Sequence, residues 1–355
     1  MKIKEFITKV EDLYLTTYKP DQFIIDRIKK QERKFLSLLD DLDEEGYRYL
    51  GECPSEIEFN IKYFYSSIEK SILTFLEGHF DISRNIIYDT FFDTTNNKRI
   101  PLRAKVLRPH TPFFRMRQSN SYDLYEAREM FHIPFEKRNL TSNQRYSMSG
   151  YPCLYLGSSI YGCWEELKRP NIDLSNIVYI ENTEPIRLIN LSIPRLDLRT
   201  IGKFDIYNIV LSLVCSLKVG DYNAPFKPEY IIPQNVLNCL ITRNNNPDAP
   251  YFDGIQYTSS IYGSNRCIFH NKQLFENYVL PIKQSKKEGY CDELCNLFAI
   301  SQPTTMTIDR LKRKHWIRTS SDDYSTCTPY KLSEFEVIED TLSHSELQLV
   351  RDIVD

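Results

Sequence analysis

Between Arg145 and Glu166 the chain reads RYSMSGYPCLYLGSSIYGCWEE, and this stretch constrains the fold more than any other. PCLYL is a short apolar run of strand character. Ser158 and Ser159 follow, and serine is among the best residues for capping a helix N-terminus. The expected unit is a strand, a capped turn and a helix start, an arrangement at which α/β proteins place ligand-contacting groups. Along it Arg145 precedes Tyr155 by ten residues, and Tyr155 precedes Glu166 by eleven.

At 355 residues the chain is long enough for two domains or for one large core with additions. A hydrophobic content of 41% with 13% aromatic residues supports a packed globular protein and excludes a disordered one. The net charge of −3 gives no general electrostatic case for nucleic-acid binding. The first residues, MKIKEFITKVEDL, alternate charged and apolar types and lack the continuous apolar core of a signal peptide. The most apolar segment, Ile206 to Val219, is interrupted by Asn208, Ser212, Ser216 and Lys218 and is too short for a bilayer. A cytoplasmic protein without a membrane partner is expected. Nine cysteines in a chain of this length do not make a secreted disulfide framework. Cys153, Cys163, Cys215 and Cys239 lie in apolar contexts and read as buried thiols. Cys291 and Cys295 would share a helix face, but no second such pair accompanies them, so no metal is expected.

Periodicity divides the chain into three. Ile3, Phe6, Val10 and Leu13 repeat at helical spacing, as do Ile24, Ile28, Phe35 and Leu38. After Gly46, Gly51 and Pro54, a third stripe runs from Ile57 to Phe75 and ends near Gly78. Residues 1–102 thus predict a bundle of three amphipathic helices. Beyond them FFRMR (Phe113 to Arg117), IVYI (Ile177 to Ile180) and IRLINLSI (Ile186 to Ile193) read as strands. FDGIQYTSS (Phe252 to Ser260) and RCIFH (Arg266 to His270) do too. Helices are expected over Ile206–Leu217 and through PEYIIPQNVLNCLI, entered at Pro233. A charged linker near residues 284–289 separates residues 103–283 from an extension, 284–355, with helices expected at Leu294–Ile300 and Ser343–Ile353.

Several of these segments resemble, in order, the RES-domain family, named for Arg, Glu and Ser. FFRMR resembles its opening strand and MFHIPFEKR its apolar-Pro segment. RYSMSGYPCLYL is similar to its Arg-aromatic-x-x-x-Gly stretch and following Tyr strand, and SSIYGCWEEL to its glutamate helix. EYIIPQNV resembles its Tyr-x-x-Pro-Gln helix, and FDGIQYTSS its Asp-Gly-Ile-x-Tyr-x-Ser strand. Six weak motifs in the right order are fairly specific. They span about residues 110–275, roughly half the chain, and leave both ends uncovered.

The resemblance implies an α+β fold, with the helical bundle followed by a split mixed β-structure of ADP-ribosyltransferase type that grips NAD. NAD would be the substrate. Breaking its nicotinamide–ribose bond builds positive charge on the ribose, which a carboxylate beneath the ring stabilises. The family spacing assigns this role to Glu166, with Glu165 the neighbour pointing about 100° away on a helix. Guanidinium groups bind a pyrophosphate bidentately, and the resemblance offers Arg115, Arg117 and Arg145. Tyr155 and Tyr146 are the aromatic candidates. Ser259, with Ser260 beside it, matches the family serine and would orient a ligand or the glutamate. His132 in MFHIP reads as a strand-end histidine. The helical N-terminus is similar to HEPN-like domains fused to RES domains, but no arginine lies between Arg48 and His79, so their nuclease pair is missing. The implied activity is NAD cleavage by a glycohydrolase or phosphorylase, in a toxin or phage-defence effector. An ADP-ribosyltransferase is the alternative, and a non-catalytic nucleotide-sensing module the other class. Expected partners are an antitoxin or regulatory protein and a second copy joined through the N-terminal bundle.

Overall fold

The computed structural model describes the chain except residues 16–21, 52, 93–101, 194–201, 247–248, 250, 264–270, 308–329 and 355. Contacts divide it into two compact units. The first comprises Met1–Lys105, Asn143–Met148 and Arg187–Ser260; the second comprises Val106–Ser142, Ser149–Ile186 and Ile261–Asp355. The N-terminal helices share a unit with residues 187–260, and the C-terminal extension shares one with the strand–turn–helix segment.

In the first unit five N-terminal helices are described where three were expected: α1 (Ile3–Tyr14), α2 (Ile24–Asp40), α3 (Glu44–Leu50), α4 (Pro54–Leu76) and α5 (Phe80–Phe91). The two additional helices are α3 and α5; α3 forms because the Asp43 carboxylate accepts the Gly46 N–H at 2.8 Å, and Gly51, at φ 69°, closes it in the left-handed region. The expected stripes face inward: Phe6, Val10, Ile28, Phe35, Ile61, Phe64 and Ile68 are all essentially inaccessible. They pack with α7 (Lys203–Cys215) and α8 (Ile231–Asn244). Phe64 meets Tyr207 edge-on at 5.2 Å, and Asn235 donates to the Ser71 and Ser83 hydroxyls at 3.2 and 2.9 Å. Arg27 and Glu229 form a buried ion pair. Strands β5 (Ile186–Leu191) and β6 (Gly254–Thr258) pair in parallel, Leu188 opposite Gly254. Their start is fixed by Asp253, whose carboxylate accepts the Arg187 N–H at 2.7 Å. Strand β1 (Ala104–Leu107) flanks β5.

The second unit holds β2 (Pro112–Gln118), β3 (Cys153–Gly157), β4 (Ser175–Asn182), β7 (Glu276–Pro281), β8 (Phe298–Ser301) and β9 (Leu347–Leu349) in the order β7-β3-β2-β4-β8-β9. Every neighbouring pair is antiparallel. The pairs differ in how far they zip. β2 and β4 stay in register from Pro112↔Glu181 to Gln118↔Ser175, and β3 and β7 from Cys153↔Pro281 to Gly157↔Asn277. Between them β2 and β3 share the single pair Phe114↔Gly157. The array is therefore two well-paired halves joined at one point.

On one face, α6 (Ile160–Glu166) and α10 (Glu334–Ser343) cover a core of Phe114, Met116, Ile177 and Tyr179. The C-terminal expectations need correction. The run Leu294–Ile300 is helical only through α9 (Asp292–Leu297); Phe298, Ala299 and Ile300 are buried in a strand paired with β4, where pairing overrides the apolar run. Ser343–Ile353 is not one helix. It is the end of α10, then β9 paired with β8, then α11 (Val350–Val354). The chain is a mixed α+β protein. RCIFH lies outside the described residues.

Candidate functional site

The strand–turn–helix segment forms as the sequence predicts, and its turn is fixed at several points. The Ser159 hydroxyl accepts the Gly162 N–H at 2.8 Å as the N-cap of α6 and donates to the Leu274 carbonyl at 2.6 Å. Ser158 donates to the Gln273 carbonyl at 2.5 Å. Gly162 is required here, since a Cβ would lie 2.2 Å from the Leu274 carbonyl oxygen.

The two glutamates at the far end of α6 have different surroundings. Glu165 is buried, and both carboxylate oxygens accept from Arg169, Nε at 2.9 Å and Nη2 at 2.7 Å. Glu166 is exposed, and its Oε1 accepts from Asn277 Nδ2 at 2.7 Å. Asn277 stands opposite Gly157 in the β3–β7 register, and Tyr155 stands opposite Val279. Residues two apart on a strand share a face, so Tyr155 and Asn277 are diagonal neighbours on one face. The Glu166 carboxylate, tied to Asn277, is thus held at the side of the sheet that carries Tyr155.

Arg115 follows Phe114, which pairs with Gly157 on the face of Tyr155 and Asn277, so it starts from the opposite face of β2 and touches β3 through that strand's backbone. Its Nη1 donates to the Tyr155 carbonyl at 2.7 Å, across the gap where β2 and β3 have parted. Its Nε is buried with no hydrogen-bond partner among the described residues. Loss of hydration, followed by the like charge of Arg117, lowers the guanidinium to about 10. Arg117 donates to the Glu129 carbonyl and lies over the Tyr125 ring, 4.5 Å from its centroid. Glu166, Tyr155, Arg115 and Arg117 all belong to the second unit.

Arg145, Tyr146 and Ser259 belong to the first. The buried Arg145 donates to the Cys215 and Leu217 carbonyls at 2.7 and 3.0 Å and to the Ser260 hydroxyl at 3.2 Å, with its guanidinium 5.2 Å from the Tyr230 ring. It therefore serves the free carbonyls at the end of α7, as arginines at helix C-termini do. Tyr146 is 1% exposed and packs on Tyr257 at 4.6 Å; burial pushes its hydroxyl well above the ordinary value. Ser259 is buried. Gln234 donates to the Gln144 and Ser147 carbonyls, both at 3.0 Å. Tyr230 and Gln234, a helical turn apart, hold the loop that carries Arg145 and Tyr146.

His132 is a core histidine. Its Nε2 accepts the Cys291 N–H at 2.9 Å, so the proton sits on Nδ1 and is donated to the Ile133 carbonyl at 2.8 Å. Burial lowers it to about 4, leaving it neutral. Cys291 and Cys295 are buried, and among the described residues no group of three or more His, Cys, Asp or Glu could hold a metal. No described helix is long and apolar enough to cross a membrane.

Sequence reasoning missed Asn277 and Arg169, which give Glu166 and Glu165 their opposite surroundings. Arg169 had a signal, lying four residues after Glu165 at the spacing of a helical ion pair, although α6 ends at Glu166 and Arg169 returns to Glu165 from beyond it. Asn277 had only its polarity in an apolar strand.

The chain is 35% identical over 268 residues to a Bacillus subtilis (strain 168) protein named "Putative toxin YopC". The match covers 68% of this chain and 58% of that protein, so the chain spans under two thirds of its relative. No family model and no solved structure matches the chain.

Proposed function

We propose that the chain is an NAD-cleaving enzyme of the toxin type, with Glu166 as the ribose carboxylate. The observation that carries this reading is the exposed Glu166 carboxylate, held by Asn277 at the face that bears Tyr155, on a strand whose Tyr155 carbonyl accepts from the half-buried Arg115. The ordered RES-like motifs support it, as does the name of the B. subtilis relative.

The chemistry follows from these groups. The C1′–N bond breaks with its electron pair passing to the nicotinamide, which leaves neutral, and positive charge develops on the ribose. Glu166 stabilises that charge, and the Asn277 amide fixes the carboxylate in one orientation beforehand, so little reorganisation is needed as the charge appears. Tyr155 offers a ring edge or face to the nicotinamide. Arg115, with Arg117 adding charge next to it, would supply positive potential for the pyrophosphate. Water then adds at C1′ and gives up a proton, yielding ADP-ribose. An enzyme that drains NAD needs restraint in its own cell, so an antitoxin is the proposed partner.

The test is incubation of purified protein with NAD, with products identified by mass in water and in phosphate buffer. Free nicotinamide with ADP-ribose is expected, or ADP-ribose 1-phosphate if phosphate is the acceptor. ADP-ribose attached to a macromolecule would make the protein a transferase. Glu166→Gln should lower turnover by about a hundredfold or more, and intact turnover in that variant would remove Glu166 from the chemistry.

A further inference from the structure

The C-terminal extension has no place in the motifs above, yet it packs directly on the helix that carries Glu166. In α10, Ile338 and Leu342 join the core under α6, and Phe335 lies 5.4 Å from Tyr161 and 5.5 Å from Trp164. Glu339, from the same helix, reaches the first residue of α6. Its Oε1 accepts the Ile160 N–H at 2.5 Å and the Tyr330 hydroxyl at 2.5 Å. Ile160 is at a helix start, where N–H groups have no partner within the helix. Glu339 therefore supplies from 179 residues away what a local cap cannot, since Ser159 is engaged with Gly162 and Leu274.

We infer that α10 is a brace for α6 and that Glu339 is a positioning residue for Glu166. The inference rests on the proposed role of Glu166. α6 has seven residues, under two turns, so it moves as one body. Glu166 lies six residues beyond Ile160, about 9 Å along the axis at ~1.5 Å per residue. At that lever length a small tilt at the braced end displaces the carboxylate by on the order of 1 Å, a misplacement that can cost about a hundredfold in rate. The Asn277 hydrogen bond holds the carboxylate from one side, and Glu339 holds the helix from its other end.

The full-length protein with Glu339→Ala should show a kcat for NAD cleavage lowered about tenfold or more, with KM for NAD little changed, because binding contacts remain and only the reacting geometry is lost. Glu339→Gln keeps an acceptor oxygen for Ile160 and should restore most of kcat. Hydrogen exchange gives a readout independent of NAD: the Ile160 amide should exchange faster in Glu339→Ala and near the wild-type rate in Glu339→Gln. Wild-type kcat in the alanine variant, or a kcat loss that Glu339→Gln does not rescue, would overturn the positioning role. Unchanged exchange at Ile160 in the alanine variant would overturn the brace. If the wild-type protein failed to cleave NAD, the proposed activity would fall, and exchange at Ile160 would still decide whether Glu339 braces α6.

Discussion

Arg145 in the first unit and Arg115 in the second occupy comparable places in the motif series, but the protein uses them differently. Arg145 is saturated: two backbone carbonyls, a hydroxyl and an aromatic face take up its guanidinium. Arg115 makes one hydrogen bond to a strand carbonyl, retains a buried Nε without a partner among the described residues, and is desolvated enough to lower its pKa. The glutamates repeat the contrast within one helical turn. Glu165 is closed into an ion pair, whereas Glu166 is open and oriented by Asn277. A motif residue whose hydrogen bonds are complete serves the fold. One that is held in place yet incomplete is available to a ligand, since groups that carry chemistry persist at some cost in stability.

The largest effect should come from removing the N-terminal helices. A protein beginning near residue 103 would lose the partners of α7 and α8, including Phe64 for Tyr207 and the Ser71–Ser83 pair for Asn235, and would expose an apolar core face. Aggregation or loss of cooperative unfolding is expected, read by light scattering and thermal denaturation. A soluble, cooperatively folding fragment would show that the helices are an independent domain.

Arg145→Ala comes next. It removes charged hydrogen bonds to two carbonyls, with about 3 kcal/mol or more of stability at stake, so the unfolding midpoint should fall by several degrees. Affinity for NAD, measured by calorimetry in a Glu166→Gln background, should change little in the fraction that remains folded. A large loss of affinity without loss of stability would return Arg145 to the list of phosphate ligands.

How much of this could be seen in the sequence depended on the range of the forces involved. The strand, capped turn and helix of residues 153–166 were legible because the apolar run and the Ser159 cap act locally. The helical stripes were legible because burial follows period. The extra helix α3 was missed because Gly46 reads as a break while the Asp43 cap overrides it. The site was legible only in its residue types. Which glutamate is open depends on Asn277, 111 residues away in another strand. Which arginine is saturated depends on carbonyls 70 and 72 residues away. No spacing rule carries that information, and the same distance in sequence hid Glu339.

Arg115→Lys should have a smaller effect and of the opposite kind. Lysine replaces a planar fork by a point charge, so affinity for NAD in the same background should weaken by about tenfold, near 1.4 kcal/mol. Stability should hold or rise slightly, because the guanidinium is under-satisfied where it stands. A variant that lost stability while binding NAD normally would place Arg115 with Arg145 among the residues that serve the fold.

The smallest expected effect is on pH dependence. Burial raises the Glu339 carboxyl to about 7 from 4.5, outweighing the hydrogen bonds from Tyr330 and Ile160, and Glu336 adds like charge. The folded protein therefore holds this proton more tightly than the unfolded chain. Its contribution to stability is fully present below pH 4.5 and is lost as pH rises through about 7. His132, lowered to about 4 from 6.5, has the reverse sign: its contribution is present above pH 6.5 and is lost as pH falls toward 4. Both groups are in the second unit, so that unit should set the pH response of the protein near neutrality. Denaturant midpoints of the wild type and Glu339→Gln between pH 5 and 8 test this. The difference between the two proteins should drift steadily in that range, the wild type losing ground as pH rises. A constant difference would mean that Glu339 keeps one protonation state throughout, and the brace on α6 would then be insensitive to pH.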